Sequence, residues 1–250
     1  MQKKVKRKVP IAIKIVLIVL AVVVLFGGGL FAKMQYEQSV MIPLNTGEVI
    51  SGVYAISNGF VNCYLVQNGD EYLMIDAGND VRQTEAALEQ LKIPADAIKA
   101  ILLTHSDSDH TTALSLFPEA QVYLPALETQ MIDGTTRRSP MGHNHLEWNY
   151  ISLKDGEEIS LFGFDVQCIS TPGHTPGSMS YLLDGRYLFV GDNMSLHEGK
   201  ADTFNAFYNM DSDTQRESIR MLSVNTQPEY IFTGHYGYTD DADTAFEEWR

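Results

Sequence analysis

An uncharged apolar run near the N-terminus divides this sequence into two parts that must fold in different surroundings. Residues 15–32 (IVLIVLAVVVLFGGGLFA) contain no charged side chain. At about 1.5 Å of rise per residue, a helix of this length just spans the hydrocarbon core of a bilayer. We therefore predict a transmembrane helix, placed at residues 11–32, ahead of a separately folded body.

Basic residues flank this run unequally. Five of them lie in residues 1–10, and only Lys33 follows the run closely. The positive-inside rule predicts a cytoplasmic tail at residues 1–10 and export of everything beyond a linker at residues 33–46. A cleaved signal peptide is the competing interpretation, but the apolar stretch is long for that role and has no clean cleavage site before Lys33. We expect a single-pass cell-membrane protein, held by the lipid bilayer, with residues 47–250 outside.

The exported part is strongly acidic. Seven of the 18 basic residues precede residue 34, whereas all 32 acidic residues follow it. A surface with this charge repels polyanions, so nucleic acid is not an expected partner. Cys63 and Cys168 could form one bridge outside the cell, but each lies in an apolar strand-like run, which favours buried free thiols.

Short β-type runs begin after residue 47. Three of them are rich in β-branched and aromatic side chains and are separated by turns that contain Asn and Gly. They span residues 48–56, 62–67 and 71–77. Residues 80–91 place apolar side chains on one helical stripe, with Asn79 or Asp80 as the cap. Residues 98–103 are the next buried strand, and a helix is expected to start near His110.

Strand patterns return after a less regular stretch at residues 124–150. The candidates span residues 158–161, 164–170, 178–183, 186–190 and 230–233, with helices predicted at residues 211–224 and 240–250. Two successive β-rich halves that each end in helix favour an α/β (α+β) fold. The expected arrangement is two sheets packed face to face with helices outside, and a boundary near Gly156.

Residues 104–110 (THSDSDH) carry the sharpest chemical signal. This segment follows a buried strand directly and holds four potential metal ligands: His105, Asp107, Asp109 and His110. Small serines alternate with them, so a turn at the strand end can point all four into one cavity. Without a cation, carboxylates crowded this closely would repel one another and lose hydration. The segment therefore predicts a metal site.

A potential metal ligand also follows the end of a predicted strand at three more places. Residues 171–178 (TPGHTPGS) present His174 in a loop shaped by proline and glycine. Asp192 closes the strand candidate at residues 186–190, and His235 follows the one at residues 230–233. A His or Asp directly beyond a strand at four separate places is hard to obtain from core packing alone.

These motifs, in this order, resemble those of the metallo-β-lactamase superfamily, whose hydrolases include glyoxalase II, lactonases and zinc β-lactamases. The resemblance covers residues 48–250, the predicted exported domain. It implies a four-layer αββα sandwich, in agreement with the β pattern. It also implies that Asp76, in the segment LMIDAG, supports the ligand loop rather than binding metal itself.

The resemblance implies two divalent metal ions in each chain. Site one would use His105, Asp107 and His174, site two would use Asp109, His110 and His235, and Asp192 would bridge them. The family usually has His at the position of Asp107. A hard, negative oxygen there makes Fe or Mn suitable beside Zn²⁺, the metal that the family favours.

The mechanism implied by this site is hydrolysis by a metal-bound hydroxide. Two ions would lower the pKa of a shared water from ~15.7 towards ~7 and would polarise the substrate. Asp109 would orient the hydroxide and pass a proton to the leaving group, and Asp192 would hold both ions. An ester, thioester, lactone or amide, in a small molecule or the cell envelope, is the expected substrate.

Two alternatives to this function stay open at this point. One is a phosphodiesterase that acts on an envelope polymer or a lipid headgroup. The other is a non-catalytic binding module that keeps metal for structure. An oxygen-reducing di-iron role would need an electron-delivering partner, and the sequence has no Cys cluster for one. The oligomeric state has no sequence signal.

The resemblance implies that the irregular stretch at residues 124–150 overhangs the metal cleft. Its His143 and His145 could bind substrate, although two solvated loop histidines explain them better. Arg137 and Arg138 could equally pair with an anionic substrate or face solvent. Tyr236, beside His235, could reach an oxyanion or be buried as an aromatic side chain.

Overall fold

The structure is a computed structural model that describes residues 10–139 and 142–250. The chain forms two compact units, one ending at Val40 and one spanning Met41–Arg250. In the first unit the described residues form a single helix, α1 (Ile11–Ser39), in which no residue is buried. Its length and composition would allow it to cross a membrane. The predicted tail at residues 1–10 lies, except for Pro10, outside the described residues.

Helix α1 is longer than the helix expected at residues 11–32. The expected linker at residues 33–46 begins inside the helix, which continues to Ser39. No glycine or proline interrupts residues 33–39. Lys33 Nζ lies 2.8 Å from Glu37 Oε1 one turn later, a pair that supports helix. The helix therefore ends well beyond the apolar run.

The second unit begins with a seven-stranded sheet. In order across the sheet, its strands are β1 (Gly47–Ile50), β2 (Val53–Asn58), β3 (Val61–Asn68), β4 (Glu71–Ile75), β5 (Ile98–Leu102), β6 (Gln121–Pro125) and β7 (Tyr150–Leu153). The first four are antiparallel, and β4 to β7 pair in parallel. Parallel pairing brings the C-terminal ends of β4, β5 and β6 to the same edge.

Three helices accompany this sheet. The cap of α2 (Val81–Leu91) is Asp80, whose side chain accepts a hydrogen bond from the Gln83 N–H, as predicted. A short helix, α3 (Ser108–Thr111), starts close to the expected His110. The third, α4 (Thr129–Ile132), follows β6.

A six-stranded sheet comes from the second half of the sequence. In order across the sheet, its strands are β15 (Tyr238–Thr239), β14 (Tyr230–Phe232), β11 (Tyr187–Phe189), β10 (Met179–Leu183), β9 (Phe164–Ser170) and β8 (Glu158–Leu161). A separate hairpin joins β12 (Met194–His197) and β13 (Lys200–Thr203). The helices of this half are α5 (Ser212–Asn225), capped by Asp211, and α6 (Ala242–Ala245).

Several elements differ from the sequence expectations. The run at residues 48–56 forms two strands, because Gly52 turns the chain with a φ of 78°. The terminal helix expected at residues 240–250 is only α6, since the chain then turns so that Phe246 is buried and Trp249 Nε1 donates to the Ala201 carbonyl. The strands β6, β7, β12, β13 and β15 lie where the sequence analysis predicts none.

The two sheets pack face to face, and the main core lies between them. It contains Leu73 and Leu102 from the first sheet and Tyr181 and Phe232 from the second. Helix α2 covers the outer face of the first sheet, and α5 covers that of the second. The fold is therefore the predicted α/β sandwich of four layers, αββα. Its two halves divide at the turn that contains Gly156, as expected.

Candidate metal centre

The predicted ligands lie in loops that begin at strand ends. His105 comes three residues after β5, Asp192 three after β11 and His235 three after β14. His174 lies in the loop between β9 and β10. The chain therefore delivers donors from both sheets to one edge of the sandwich.

Two glycines let these loops approach one another. At Gly191 the φ is 52°, and a Cβ would overlap the Thr104 side chain. A Cβ on Gly234 would lie 2.7 Å from Asp192 Oδ1. Any side chain at either position would push apart the loops that carry the ligands.

All seven predicted ligands come together in overlapping groups of donor atoms, each group within 4.8 Å. We call His105, Asp107 and His174 the first cluster. The second cluster is Asp109, His110 and His235. A further group, formed by His105, His110 and Asp192, joins the two clusters.

The distances between donor atoms suit ligands that share an ion. Asp107 Oδ2 lies 3.0 Å from His174 Nε2 and 3.6 Å from His105 Nε2. In the second cluster, His235 Nε2 lies 3.5 Å from Asp109 Oδ2. Ligands about 2.0–2.2 Å from a tetrahedral ion lie roughly 3.3–3.6 Å from each other. The 3.6 Å and 3.5 Å separations lie in this range, and the 3.0 Å contact between Asp107 and His174 is at hydrogen-bond distance.

Asp192 faces both clusters with different oxygens. Its Oδ1 lies 3.1 Å from His235 Nε2 and 3.3 Å from His110 Nε2. Its Oδ2 lies 3.4 Å from His174 Nε2. The carboxyl group is buried, so it is placed between the clusters as a bridge would be.

Some buried side-chain nitrogen and oxygen atoms at this site make no hydrogen bond. Within residues 10–139 and 142–250, four of them have no hydrogen-bond partner: His105 Nε2, His110 Nε2, His235 Nε2 and Asp192 Oδ1. Buried polar atoms without partners are rare in native proteins because they cost free energy. A divalent cation would satisfy atoms of this kind, and nitrogen with carboxylate oxygen is a donor set that Zn²⁺ accepts. The residues present therefore fit a metal centre.

Hydrogen bonds on the outer side of the rings aim these nitrogens inward. Asp76 Oδ2 lies 2.8 Å from His110 Nδ1, and Asp76 Oδ1 accepts from the Thr104 N–H at 2.8 Å. His235 Nδ1 lies 2.7 Å from the Phe60 carbonyl oxygen. An acceptor at Nδ1 keeps the proton there and leaves Nε2 free for metal. Asp76 thus has the supporting position that the family resemblance implies.

Nearby charges perturb the ionisable groups of the site. Burial lowers the pKa of His110, but the carboxylates of Asp192 and Asp76 raise it by more, so it lies well above its ordinary value. Burial raises the pKa of Asp192, but three surrounding imidazoles bring it well below its ordinary value. For His174, burial dominates and the pKa is lowered. The arrangement keeps the bridging carboxyl group ionised.

Glu128 is a residue of this site that the sequence does not identify. It is fully buried just before α4 and accepts a hydrogen bond from the Ser106 N–H at 2.8 Å. The hydroxyls of Ser106 and Thr175 also donate to its carboxyl group. Glu128 therefore ties the loop of His105 to the loop of His174. A lone acidic residue in the apolar segment VYLPALETQM is the only signal for it.

The stretch between α4 and β7 reaches the first cluster through two side chains. Arg138 Nη1 lies 2.5 Å from Asp107 Oδ2, and Arg138 Nη2 lies 3.2 Å from His174 Nε2. Asn144, which the sequence does not single out, donates from Nδ2 to Asp107 Oδ1 at 2.8 Å. This stretch thus overhangs the cleft as expected.

The other candidate residues contact neighbours in the same loop or in the core. The His143 and His145 rings contact each other at a tilt of 46°, with centroids 4.4 Å apart. Arg137 Nε donates to the Gly134 carbonyl at 2.8 Å. Tyr236 is buried in the core beneath α5.

Comparisons with known proteins identify the class. The metallo-β-lactamase superfamily profile matches residues 56–235. Hydroxyacylglutathione hydrolase of Aeromonas hydrophila is 33% identical over 135 residues, 52% of this chain and 45% of that protein. A probable polyketide biosynthesis zinc-dependent hydrolase of Bacillus velezensis, BaeB, is 29% identical over 137 residues, 53% of this chain and 54% of that protein. The chain thus spans about half the length of these two relatives.

Similarity to solved structures agrees with this class. A metallo-β-lactamase family protein of Thermus thermophilus superposes with a TM-score of 0.59 and 22% identity, covering 80% of this chain and 78% of that one. The chain belongs to the metallo-β-lactamase superfamily and has the fold of its hydrolases.

Proposed function

We propose that this chain is a membrane-anchored, outward-facing hydrolase that uses two divalent metal ions. The seven clustered His and Asp donors, with four buried donor atoms unpaired in the described structure, carry this proposal. The first cluster would hold one ion and the second cluster the other. Asp192 would contribute one oxygen to each.

Bound ions would polarise the scissile group of the substrate and lower the pKa of the attacking water. The chain's own residues would supply proton transfer and orientation. Asp109 Oδ2 lies 3.7 Å from His110 Nε2 and 3.5 Å from His235 Nε2, and 20% of the Asp109 side chain is exposed. It can therefore accept the proton of the water and deliver it to the leaving group. This access to solvent favours catalysis over a closed structural site.

Zn²⁺ is the metal that we propose first. The Bacillus velezensis relative is a zinc-dependent hydrolase by its name, and the donor set here is mostly imidazole. Asp107 adds a hard anionic oxygen to the first cluster, which makes Fe or Mn²⁺ suitable there as well.

An acyl compound is the substrate class that we propose. The Aeromonas hydrophila relative acts on a hydroxyacylglutathione by its name, which supports an ester, thioester, lactone or amide over a phosphodiester.

A panel of substrates tests this proposal with the full chain in mild detergent, reconstituted with Zn²⁺ or Mn²⁺. We expect hydrolysis of chromogenic acyl substrates that a chelator abolishes and metal restores. Hydrolysis of bis-p-nitrophenyl phosphate alone would indicate phosphodiesterase activity instead, and metal binding without any turnover would indicate a binding module.

Helix α1 supports the membrane part of the proposal, because it is long and apolar and none of its residues is buried. Protease added to intact cells should remove the second unit while sparing the short N-terminus. Full protection of the second unit, or a mature chain that lacks residues 15–32, would contradict this topology.

A further inference from the structure

Arg138 contacts two of the three members of the first cluster. Its Nη1 lies 2.5 Å from Asp107 Oδ2. Its Nη2 lies 3.2 Å from His174 Nε2 and 3.3 Å from the His174 carbonyl oxygen. A guanidinium group is a permanent cation with a planar fork of donors, so it binds a carboxylate and a second acceptor at once.

Arg138 lies against the atoms that an ion in the first cluster would bind. Its Nη1 contacts Asp107 Oδ2, and its Nη2 contacts His174 Nε2, a nitrogen that also lies 3.0 Å from Asp107 Oδ2. The guanidinium group and a metal ion are both cations, and both would use this oxygen and this nitrogen. Metal binding by Asp107 and His174 together therefore requires Arg138 to move away.

The second cluster lacks this obstacle. In the parts of the chain that the structure describes, His110 Nε2 and His235 Nε2 have no hydrogen-bond partner. Their outer nitrogens contact Asp76 and the Phe60 carbonyl, which fixes the rings with the free nitrogens inward. An ion can enter the second cluster without displacing a protein group.

We propose that Arg138 is an internal cation that competes with metal for the first cluster, so that the two metal positions fill in order, the second cluster before the first. The inference rests on the proposed metal-dependent function. Arg138 can leave because 33% of its side chain is already exposed. The guanidinium charge lies beside the Asp107 carboxylate, so this buried carboxylate has a cationic partner before an ion binds.

Metal titration of the full chain tests this order. Chelator-treated protein in mild detergent is titrated with Zn²⁺ against a competing chromophoric chelator, and with Co²⁺ by visible absorption. We expect two equivalents of unequal affinity in wild type. Arg138→Gln should tighten the weaker equivalent about tenfold, since it removes charge-assisted hydrogen bonds, and leave the tighter one unchanged. Arg137→Gln is the matched control and should titrate as wild type does.

Two further variants assign the equivalents to the clusters. Asp107→Ala should remove the weaker equivalent and His110→Ala the tighter one, with folding followed by circular dichroism. Weaker metal binding in Arg138→Gln would show that Arg138 supports the ligands and would overturn the proposal. Two equivalents with the same affinities in Arg138→Gln and wild type would overturn it too, while leaving the proposed function intact. Absence of metal from both proteins would instead overturn the proposed function together with this inference.

Discussion

The two clusters use the same residue types but differ in what their donor atoms contact. In the second cluster, His110 Nε2 and His235 Nε2 make no hydrogen bond in the described structure, and the outer nitrogens of the two rings are held by Asp76 and the Phe60 carbonyl. In the first cluster, Arg138 contacts Asp107 Oδ2, and Asn144 donates a hydrogen bond to Asp107 Oδ1. The second cluster therefore keeps two ring nitrogens without hydrogen bonds, whereas the first cluster already contacts two side chains of the irregular loop.

The difference follows from the elements that build each cluster. The support of His110 comes from Asp76 at the end of β4, which pairs with β5 in the middle of the first sheet. The groups that close the first cluster come from the irregular stretch between α4 and β7. The end of a strand thus supports the second cluster, whereas a loop outside the sheets supplies the side chains that contact the first.

Asp192→Asn should have the largest effect, because Asp192 is shared by both clusters. The variant keeps the shape of the side chain but loses the negative charge that faces three imidazoles. We expect both metal equivalents to weaken and hydrolysis to fall by about 100-fold or more. Metal content and turnover measure this. The exposed Asp213→Asn should leave both unchanged, and full activity in Asp192→Asn would contradict the bridging assignment.

Asp76→Asn should weaken metal binding at the second cluster more than at the first. An amide at this position holds the Nδ1 proton of His110 less strongly than the carboxylate does. Loss of such a supporting group weakens metal binding by about 10–100-fold. Isothermal titration with Zn²⁺ should show this in the tighter equivalent. An equal loss in both equivalents would show that the clusters are not independently supported.

Asp107→His should sharpen the comparison by changing the chemistry of the first cluster alone. A neutral nitrogen replaces a hard anion, so Zn²⁺ occupancy should rise relative to Mn²⁺ and Fe²⁺, and the metal that gives the best rate should change. Asp107→Ala should instead weaken the first position. Metal content and rate are compared for both variants and wild type after reconstitution with each ion. Identical metal profiles would mean that Asp107 is not a ligand.

Glu128→Ala should loosen the first cluster through its loops. Ser106 and Thr175 would lose their shared buried acceptor. Each unsatisfied buried donor costs about 1–3 kcal/mol, so the free energy of unfolding should fall by at least that much. Urea denaturation measures the loss, and the weaker metal equivalent should weaken further. Unchanged stability would show that water replaces the carboxyl group.

The smallest expected effect is a pH dependence of the metal-free chain. The pKa of His110 is raised by Asp192 and Asp76 against the effect of burial, so its charged form stabilises the folded chain. That stability is present below the unfolded pKa of about 6.5 and is lost as pH rises through the folded pKa. With metal bound, stability should instead increase with pH, because protons no longer compete for the ring. Urea denaturation at several pH values, with and without chelator, compares the two slopes, and equal slopes would contradict this.

Much of the site can be predicted from local sequence. A histidine or aspartate directly beyond an apolar strand run identifies His105, His174, Asp192 and His235, because a strand end must expose the next side chains at the sheet edge. The caps Asp80 and Asp211 are also local, since each accepts hydrogen bonds from N–H groups two or three residues later. Such features depend on neighbours in the chain and are visible in it.

The tertiary structure alone decided how the two clusters differ. Glu128 meets Ser106 across 22 residues, Arg138 meets Asp107 across 31, and Asn144 meets Asp107 across 37. These contacts arise only after β5 and β6 pair in parallel and the following loop returns over their ends. No periodicity in the sequence encodes which loop side chain arrives at a given ligand. The sequence determined where the seven candidate donors would stand, and the path of one irregular loop decided which of them Arg138 and Asn144 contact, because that path depends on packing between distant residues.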